Sequence, residues 1–262
     1  MQQQYNLENS LETELSELVF CVKNTLAQIN IKILTEDVNE KKLNTEVFNN
    51  MSKISNIKSI LGFNSFREIN KDGKYLFSFK IYDLDKYSSY LIFSVFNISE
   101  DQILPKNGFD MLLSGLCIFS KRMELYLATF DGCEKYNFNI LDEKFTFKSY
   151  VRLRKDGKNL YSDSFTKHKI NNLRLKYHLN SIPQILSNIS ERGGIFVSAK
   201  KYSLIFLIYP LGLIIQCMNG NLFVNNENFQ NLQFPRKMNF NCEFIFGNTN
   251  IVNSFIGKGS RC

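Results

Sequence analysis

Few residues of this chain are of types that do chemistry. Residues 75–89, Tyr-Leu-Phe-Ser-Phe-Lys-Ile-Tyr-Asp-Leu-Asp-Lys-Tyr-Ser-Ser, read as an apolar strand running into a short acidic loop. Asp83 and Asp85 stand in that loop, and Lys80 precedes them on the strand. By themselves these are exposed loop carboxylates. His168 and His178 have no nucleophile-elbow motif near them, and no Gly-rich phosphate loop is present. The six cysteines are scattered with no Cys-x-x-Cys pair, which argues against a zinc site and for reduced thiols in a cytosol-like compartment.

The elements that must position these residues follow from periodicity. Leu7, Leu11, Leu15, Leu18, Val22, Leu26 and Ile29 recur at helical steps and predict a helix over 7–29, with Glu8, Glu12 and Glu14 in its first turns, where the helix dipole favours acids. A second helix is predicted over 38–54. Strands follow near 75–82 and 90–98, entered by the turn Lys71-Asp72-Gly73-Lys74. A mostly apolar helix is predicted over 109–119, then strands over 125–130, 136–141 and 144–153. Residues 180–191 read as a helix, 195–198 and 202–208 as strands, 210–218 as a helix, 243–246 as a strand and 249–256 as a helix. That order makes one layered α/β or α+β unit over 1–262, with sub-layers of about 1–144 and 145–262.

Charge is uneven between those parts. Residues 1–144 carry 16 Lys/Arg against 20 Asp/Glu, and residues 145–262 carry 16 against 5, so the whole excess of base lies in the second part. A basic half suits docking onto an acidic protein or RNA, or is simply a solvated lysine face. The longest apolar run, Leu204–Ile215, is 12 residues and includes Pro210. A membrane span needs about 20, so a buried core segment is expected. No basic and apolar leader is visible at the start, and an intracellular place, cytosol or organelle interior, is expected.

Several short matches then fall in one order. Gly73-Lys74-Tyr75 matches a Gly-Lys-Tyr motif, and Asp131-Gly132-Cys133 with Phe138-Asn139-Ile140-Leu141-Asp142 and Phe145-Thr146-Phe147 matches a Met-Asp-Cys-Gly, Phe-Met-Leu-Asp-Pro, Glu-Phe-Ile-Leu run. Gly157-Lys158-Asn159-Leu160-Tyr161-Ser162 is similar to Gly-Lys-Ile-Tyr-Ser, and Arg192-Gly193-Gly194-Ile195-Phe196 to Tyr-Gly-Gly-Ile-Phe. Phe206-Leu207-Ile208-Tyr209-Pro210 stands where Tyr-Glu-Cys-Asn-Pro is expected, and Phe244-Ile245-Phe246-Gly247 where Val-Ile-Leu-Gly is. Colinear over 73–256, they make the chain resemble class I fructose-1,6-bisphosphatases of the inositol monophosphatase-like superfamily. The resemblance implies an αβαβα sandwich of helix layers and two mixed sheets.

It also implies a site of clustered carboxylates holding divalent cations, which polarise a phosphoryl group and activate water. Judged against that pattern, much is missing. The family's Phe-Asp-Pro-Leu-Asp-Gly-Ser-Ser loop has Lys80 in place of its first aspartate, with Asp83 or Asp85 as the remnant of the second. The Ser-Glu-Glu ligands correspond to Gly62-Phe63-Asn64-Ser65-Phe66, without a carboxylate, and the late glutamate ligand is Leu207. Lys176-Tyr177 stands for an Arg-Tyr pair that contacts substrate phosphate, and Lys200 or Lys201 for a sugar-phosphate lysine, so these four could still bind an anion. The regulatory nucleotide site keeps Lys74 and Tyr75, but acidic residues replace its Thr/Gly-rich helix start, which disfavours a phosphate.

The expectation drawn from these losses is a chain that is not an enzyme: a catalytically inactive relative serving as a structural or regulatory subunit in a hetero-oligomer, with no cofactor. The first alternative is a divergent magnesium-dependent sugar phosphatase using Asp83, Asp85 and carboxylates from elsewhere in the fold. The second is an RNA or polyanion binder using the basic half.

Overall fold

The computed structural model describes residues 2–259 apart from 37, 64, 84–88, 130, 158, 164–173, 179–180 and 239. Two helices open the chain, α1 (Gln2–Thr35) and α2 (Glu40–Met51). Eight strands follow: β1 (Ile57–Gly62), β2 (Ser65–Glu68), β3 (Tyr75–Tyr82), β4 (Tyr90–Asn97), β5 (Met111–Ile118), β6 (Glu124–Thr129), β7 (Gly132–Asn139) and β8 (Lys144–Tyr150). They form one sheet in the order β2-β1-β3-β4-β5-β6-β7-β8, an antiparallel meander from β3 to β8 with β1 parallel to β3. The remainder comprises β9 (Asn159–Ser162), β10 (Arg174–His178), α3 (Ile182–Arg192), β11 (Ile195–Val197), β12 (Tyr202–Ser203), α4 (Tyr209–Cys217), β13 (Gly220–Val224), β14 (Glu227–Asn228), β15 (Asn241–Cys242), β16 (Ile245–Asn248) and α5 (Thr249–Gly259). A second sheet runs β10-β9-β11-β16-β13-β14, and β12 pairs with β15.

Burial explains the layering. Leu18, Val22, Leu26 and Ile29 of α1 and Leu43 and Val47 of α2 close one face of the first sheet over Phe77, Phe79 and Phe93. Its other face, through Leu76, Ile92 and Phe96, meets α3 and α4, which also cover Phe196 and Phe246 of the second sheet. Val252 of α5 packs with Leu160 and Ile195 on that sheet's outer side. The five layers are helix, sheet, helix, sheet, helix, as the sequence motifs implied. Among the described residues no helix is long and apolar enough to cross a membrane, and Leu204–Ile215 is core.

Two element expectations are corrected. Residues 109–119 are strand, not helix: after a 3₁₀ turn at Gly108–Asp110 comes β5, a central strand buried on both faces, so its residues are apolar without alternation. At Gly115 the ring of Phe93 lies on the opposite strand so closely that a Cβ would sit 2.3 Å from its Cζ, a contact only glycine allows. Beside it runs a polar rung. Ser78 and Ser94 share a hydrogen bond of 2.7 Å, and the Ser114 hydroxyl faces the Phe93 carbonyl at 3.0 Å and the Pro210 carbonyl at 2.8 Å. The rung ties α4 to the sheet. Residues 204–208 form a π-helical turn, not a strand, and only Tyr202–Ser203 pairs as β12. An apolar run of that length carries no period to tell the two apart. Helix α1 also begins earlier than predicted, at Gln2, which leaves Glu14 in mid-helix rather than near the dipole's positive end.

Candidate active site

Strand β3 delivers the first residues of the site. Lys80 and Tyr82, two apart, share a face of the sheet, and Asp83 leaves the strand with φ of 49° and an exposed side chain. Tyr82 stacks on Tyr90 across the strand pair, with ring centres 5.0 Å apart. Its hydroxyl reaches the Phe206 carbonyl at 3.4 Å.

Lys80 lies in an aromatic corner. Its Nζ is 3.5 Å from the ring centre of Phe63 and 4.6 Å from that of Tyr82. Burial pushes its pKa below the usual lysine range, offset in part by the charge of Glu40. The ring faces give the ammonium partial compensation for lost water. Phe63 in turn packs edge-on to Phe206, with centres 5.9 Å apart. The fold therefore brings together three segments that the motif comparison flagged separately: residues 62–66, Lys80 and the 206–210 run. Leu207 is fully buried and offers no oxygen.

A second carboxyl completes the site, and the sequence reading missed it. Asp163 follows β9 and is only 1% exposed. It accepts hydrogen bonds from the Ala199 N–H and the Tyr202 hydroxyl, each at 2.7 Å. Burial, then this bond, then the charge of Asp83 hold the Tyr202 hydroxyl above its ordinary pKa. Tyr82 is raised by burial, then by its neighbours Tyr202 and Asp83. Asp83, Tyr82, Tyr202 and Asp163 are thus one electrostatic group drawn from β3, β9 and β12. The only sequence signal was Asp163 directly after the Gly-Lys-Asn-Leu-Tyr-Ser match.

The remaining predicted residues divide. Lys200 and Lys201 are exposed on the turn that follows Ala199, one residue from Tyr202. Lys176 and Tyr177 lie on β10, parallel to β9. Asp85 lies outside the described residues. A divalent-cation site of the expected kind does not fit what is described: no cluster of three His, Cys, Asp or Glu side chains exists among the described residues. Lys80 also puts an ammonium in the corner where the pattern calls for a carboxylate.

The nucleotide-site remnant has a different fate. Glu14 of α1 bonds Lys74 Nζ at 3.0 Å and receives the Tyr75 hydroxyl at 2.7 Å. The chain's own carboxylate occupies both groups. Those two hydrogen bonds, Tyr75 first, hold the Glu14 carboxyl below its ordinary pKa. Because the folded pKa is depressed, the clasp contributes stability above the unfolded pKa of 4.5 and loses it as pH falls through the lower folded value. The melting temperature of the wild type should therefore exceed that of Glu14→Gln at pH 7, and the gap should narrow on acidification below pH 4.5 as the folded carboxyl takes its proton. A gap unchanged across that range would remove the carboxylate from the clasp.

No family model and no curated protein matches this sequence. Solved structures do. Leishmania major fructose-1,6-bisphosphatase in apo form has a TM-score of 0.77 at 15% identity over 95% of this chain and 94% of that one. The T-state of the same enzyme gives 0.80 at 14% identity, again over 95% and 94%. A putative sedoheptulose-1,7 bisphosphatase from Toxoplasma gondii gives 0.80 at 11% identity over 94% of each chain. The chain has the fructose-1,6-bisphosphatase-like fold. The expectation that it is not an enzyme is corrected by these neighbours. The three solved structures above that share its architecture end to end are of chains named as bisphosphatases, and the absence of family ligands from the sequence is no finding of inactivity.

Proposed function

We propose that this chain is a divergent sugar-phosphate phosphatase, acting on a bisphosphorylated sugar at the end of β3. The observation that carries this reading is the end-to-end fold match to bisphosphatases, with Lys80 against Tyr82 near the end of β3 and Tyr82 coupled to Asp83 and to Tyr202, which Asp163 holds. Phosphoryl transfer asks mainly for positioning and electrostatic stabilisation. Lys80 is the cation available for the phosphoryl oxygens, and its partial burial strengthens that attraction relative to water. Exposed Lys200 and Lys201 add positive field for the second phosphate. Asp83 takes the proton from the attacking water. The water oxygen bonds to phosphorus, the ester P–O bond breaks and the sugar oxygen takes a proton from solvent. Asp163 touches neither and acts by fixing the Tyr202 hydroxyl. Magnesium, where bound, would add charge neutralisation, but the described residues assign it no ligand set and no step runs through it.

The test is phosphate release from fructose 1,6-bisphosphate and sedoheptulose 1,7-bisphosphate, with and without magnesium. Release above the uncatalysed blank is expected, falling at least about tenfold in Lys80→Met and in Asp83→Asn. No release in either condition from the folded protein overturns the proposal.

A further inference from the structure

We propose that β8, the last strand of the first sheet, docks an extended, acidic segment of a partner protein as a further strand. β8 pairs with β7, and among the described residues no strand pairs with its other side. The main-chain N–H and C=O groups on that side are open to another chain. Every residue of β8 except the half-buried Phe145 is exposed. None of them belongs to the candidate active site, so the docking surface stands apart from the chemistry proposed at the end of β3.

The side chains around this edge are of the kind an interface covers. Ile140, Leu141, Phe147 and Tyr150, all on the β7–β8 hairpin, are 54%, 89%, 51% and 59% exposed. They are four of the nine large apolar side chains exposed among the described residues, a concentration that marks an interaction site rather than ordinary scattered exposure. A register shift between Lys135 and Tyr136 leaves Lys148 as an extra residue and turns Tyr150 to the face that carries Phe147. Their ring centres lie 5.4 Å apart, and Phe147 meets Tyr136 at 5.8 Å. The exposed rings are thus held in place before a partner arrives.

Charge selects the partner. Lys144, Lys148, Arg152, Arg154 and Lys155 follow one another along β8 and the segment after it, with no acid among them. All five are exposed, and among the described residues none has a carboxylate within ion-pairing distance. An added strand bearing Asp or Glu pairs with them. A second copy of this chain fits less well. Paired antiparallel, the two edges set one basic run against another, with only Asp142 and Glu143 of the hairpin turn to offset it. Lysines on an edge strand act against such self-pairing. Single-stranded RNA would answer the charge but leave the main-chain edge and the apolar turn at Ile140 and Leu141 unused.

Fluorescence anisotropy of labelled peptides of β8's own length, seven residues, titrated with the full chain tests this. One probe alternates Val with Glu, the other Val with Lys. The Glu probe is expected to bind saturably with Kd below about 1 mM, and the Lys probe not at all. Hydrogen exchange at the β8 amides should slow in the bound state, because the added strand takes up the edge. The double variant Lys144→Glu, Lys148→Glu should weaken the Glu probe about tenfold and admit the Lys probe. Both side chains are exposed, so its melting temperature should match the wild type. No binding of the Glu probe up to about 1 mM overturns the proposal. So does binding that leaves β8 exchange unchanged or that the double variant does not weaken. Protection of β8 by oligouridylate but not by the Glu probe, or a dimer of the free chain that the double variant dissolves, also overturns it, since RNA or a second copy would then be the occupant.

Discussion

Replacing Asp163 by Asn should lower the rate of phosphate release by about a hundredfold, because misplacing a positioning group by a fraction of an ångström costs on that order. The carboxyl group accepts from both the Ala199 N–H and the Tyr202 hydroxyl, and an asparagine oxygen can stand in for only one carboxyl oxygen. Its amide group then faces the Tyr202 hydroxyl, which must accept instead of donate and turns away its proton. Loss of the charge-assisted bond to a buried carboxylate costs about 2 kcal/mol. That corresponds to a drop of roughly 5 °C in melting temperature, far too little to explain the rate at 25 °C. Tyr202→Phe should show the same loss of kcat with a smaller change in KM. The double variant should be no slower than the worse single one, since both remove one connection. A role confined to stability predicts full rates below the melting transition in both variants.

Gly193→Ala should be the most destabilising exchange of a small residue outside the core. Gly193 ends α3 with φ of 68° and ψ of 177°, a region that side chains other than hydrogen avoid. A Cβ there would meet the Asp156 carbonyl oxygen at 2.1 Å, and a Cβ on Gly157 would meet the Arg192 carbonyl oxygen at 2.5 Å. The two glycine turns, 156–157 and 193–194, lie backbone against backbone. Around them Asn159 donates to the Arg192 carbonyl at 3.0 Å and the Tyr161 hydroxyl to the Gly193 carbonyl at 3.3 Å. Strain and displacement together should cost about 3 kcal/mol or more, a fall of roughly 10 °C in melting temperature. A change under about 2 °C in thermal scans would mean that the turns separate without cost.

The amphipathic helices were legible where one face meets water. Leu18, Val22 and Leu26 spell a helix because the opposite face of α1 is wet. Tyr75–Tyr82, buried on both faces along most of its length, was recognisable as a strand only from the turn that precedes it. Where an element is covered on both sides, periodicity vanishes. β5 interrupts its apolar residues only with Ser114 and Gly115, the turn at Leu204–Ile208 is apolar throughout, and each was assigned the other's kind of structure. The helices that cover β5, α1 on one face and α4 on the other, are remote from it in sequence, so no local window contains the deciding contact.

What the sequence determined alone is the order of layers, the two glycine turns, the presence of Lys80 and Leu207 where a ligand pattern calls for acids, and the basic second half. What only the tertiary structure decided is which isolated residues meet. Phe63, Lys80 and Phe206 close one corner, Asp163 reaches Tyr202 across 39 residues, and Glu14 reaches Lys74 and Tyr75 across about 60. The reason is physical. Periodicity records only whether a residue faces solvent or core, an average over its surroundings. A hydrogen bond or ion pair depends on one partner at one distance, and chain folding alone sets that distance.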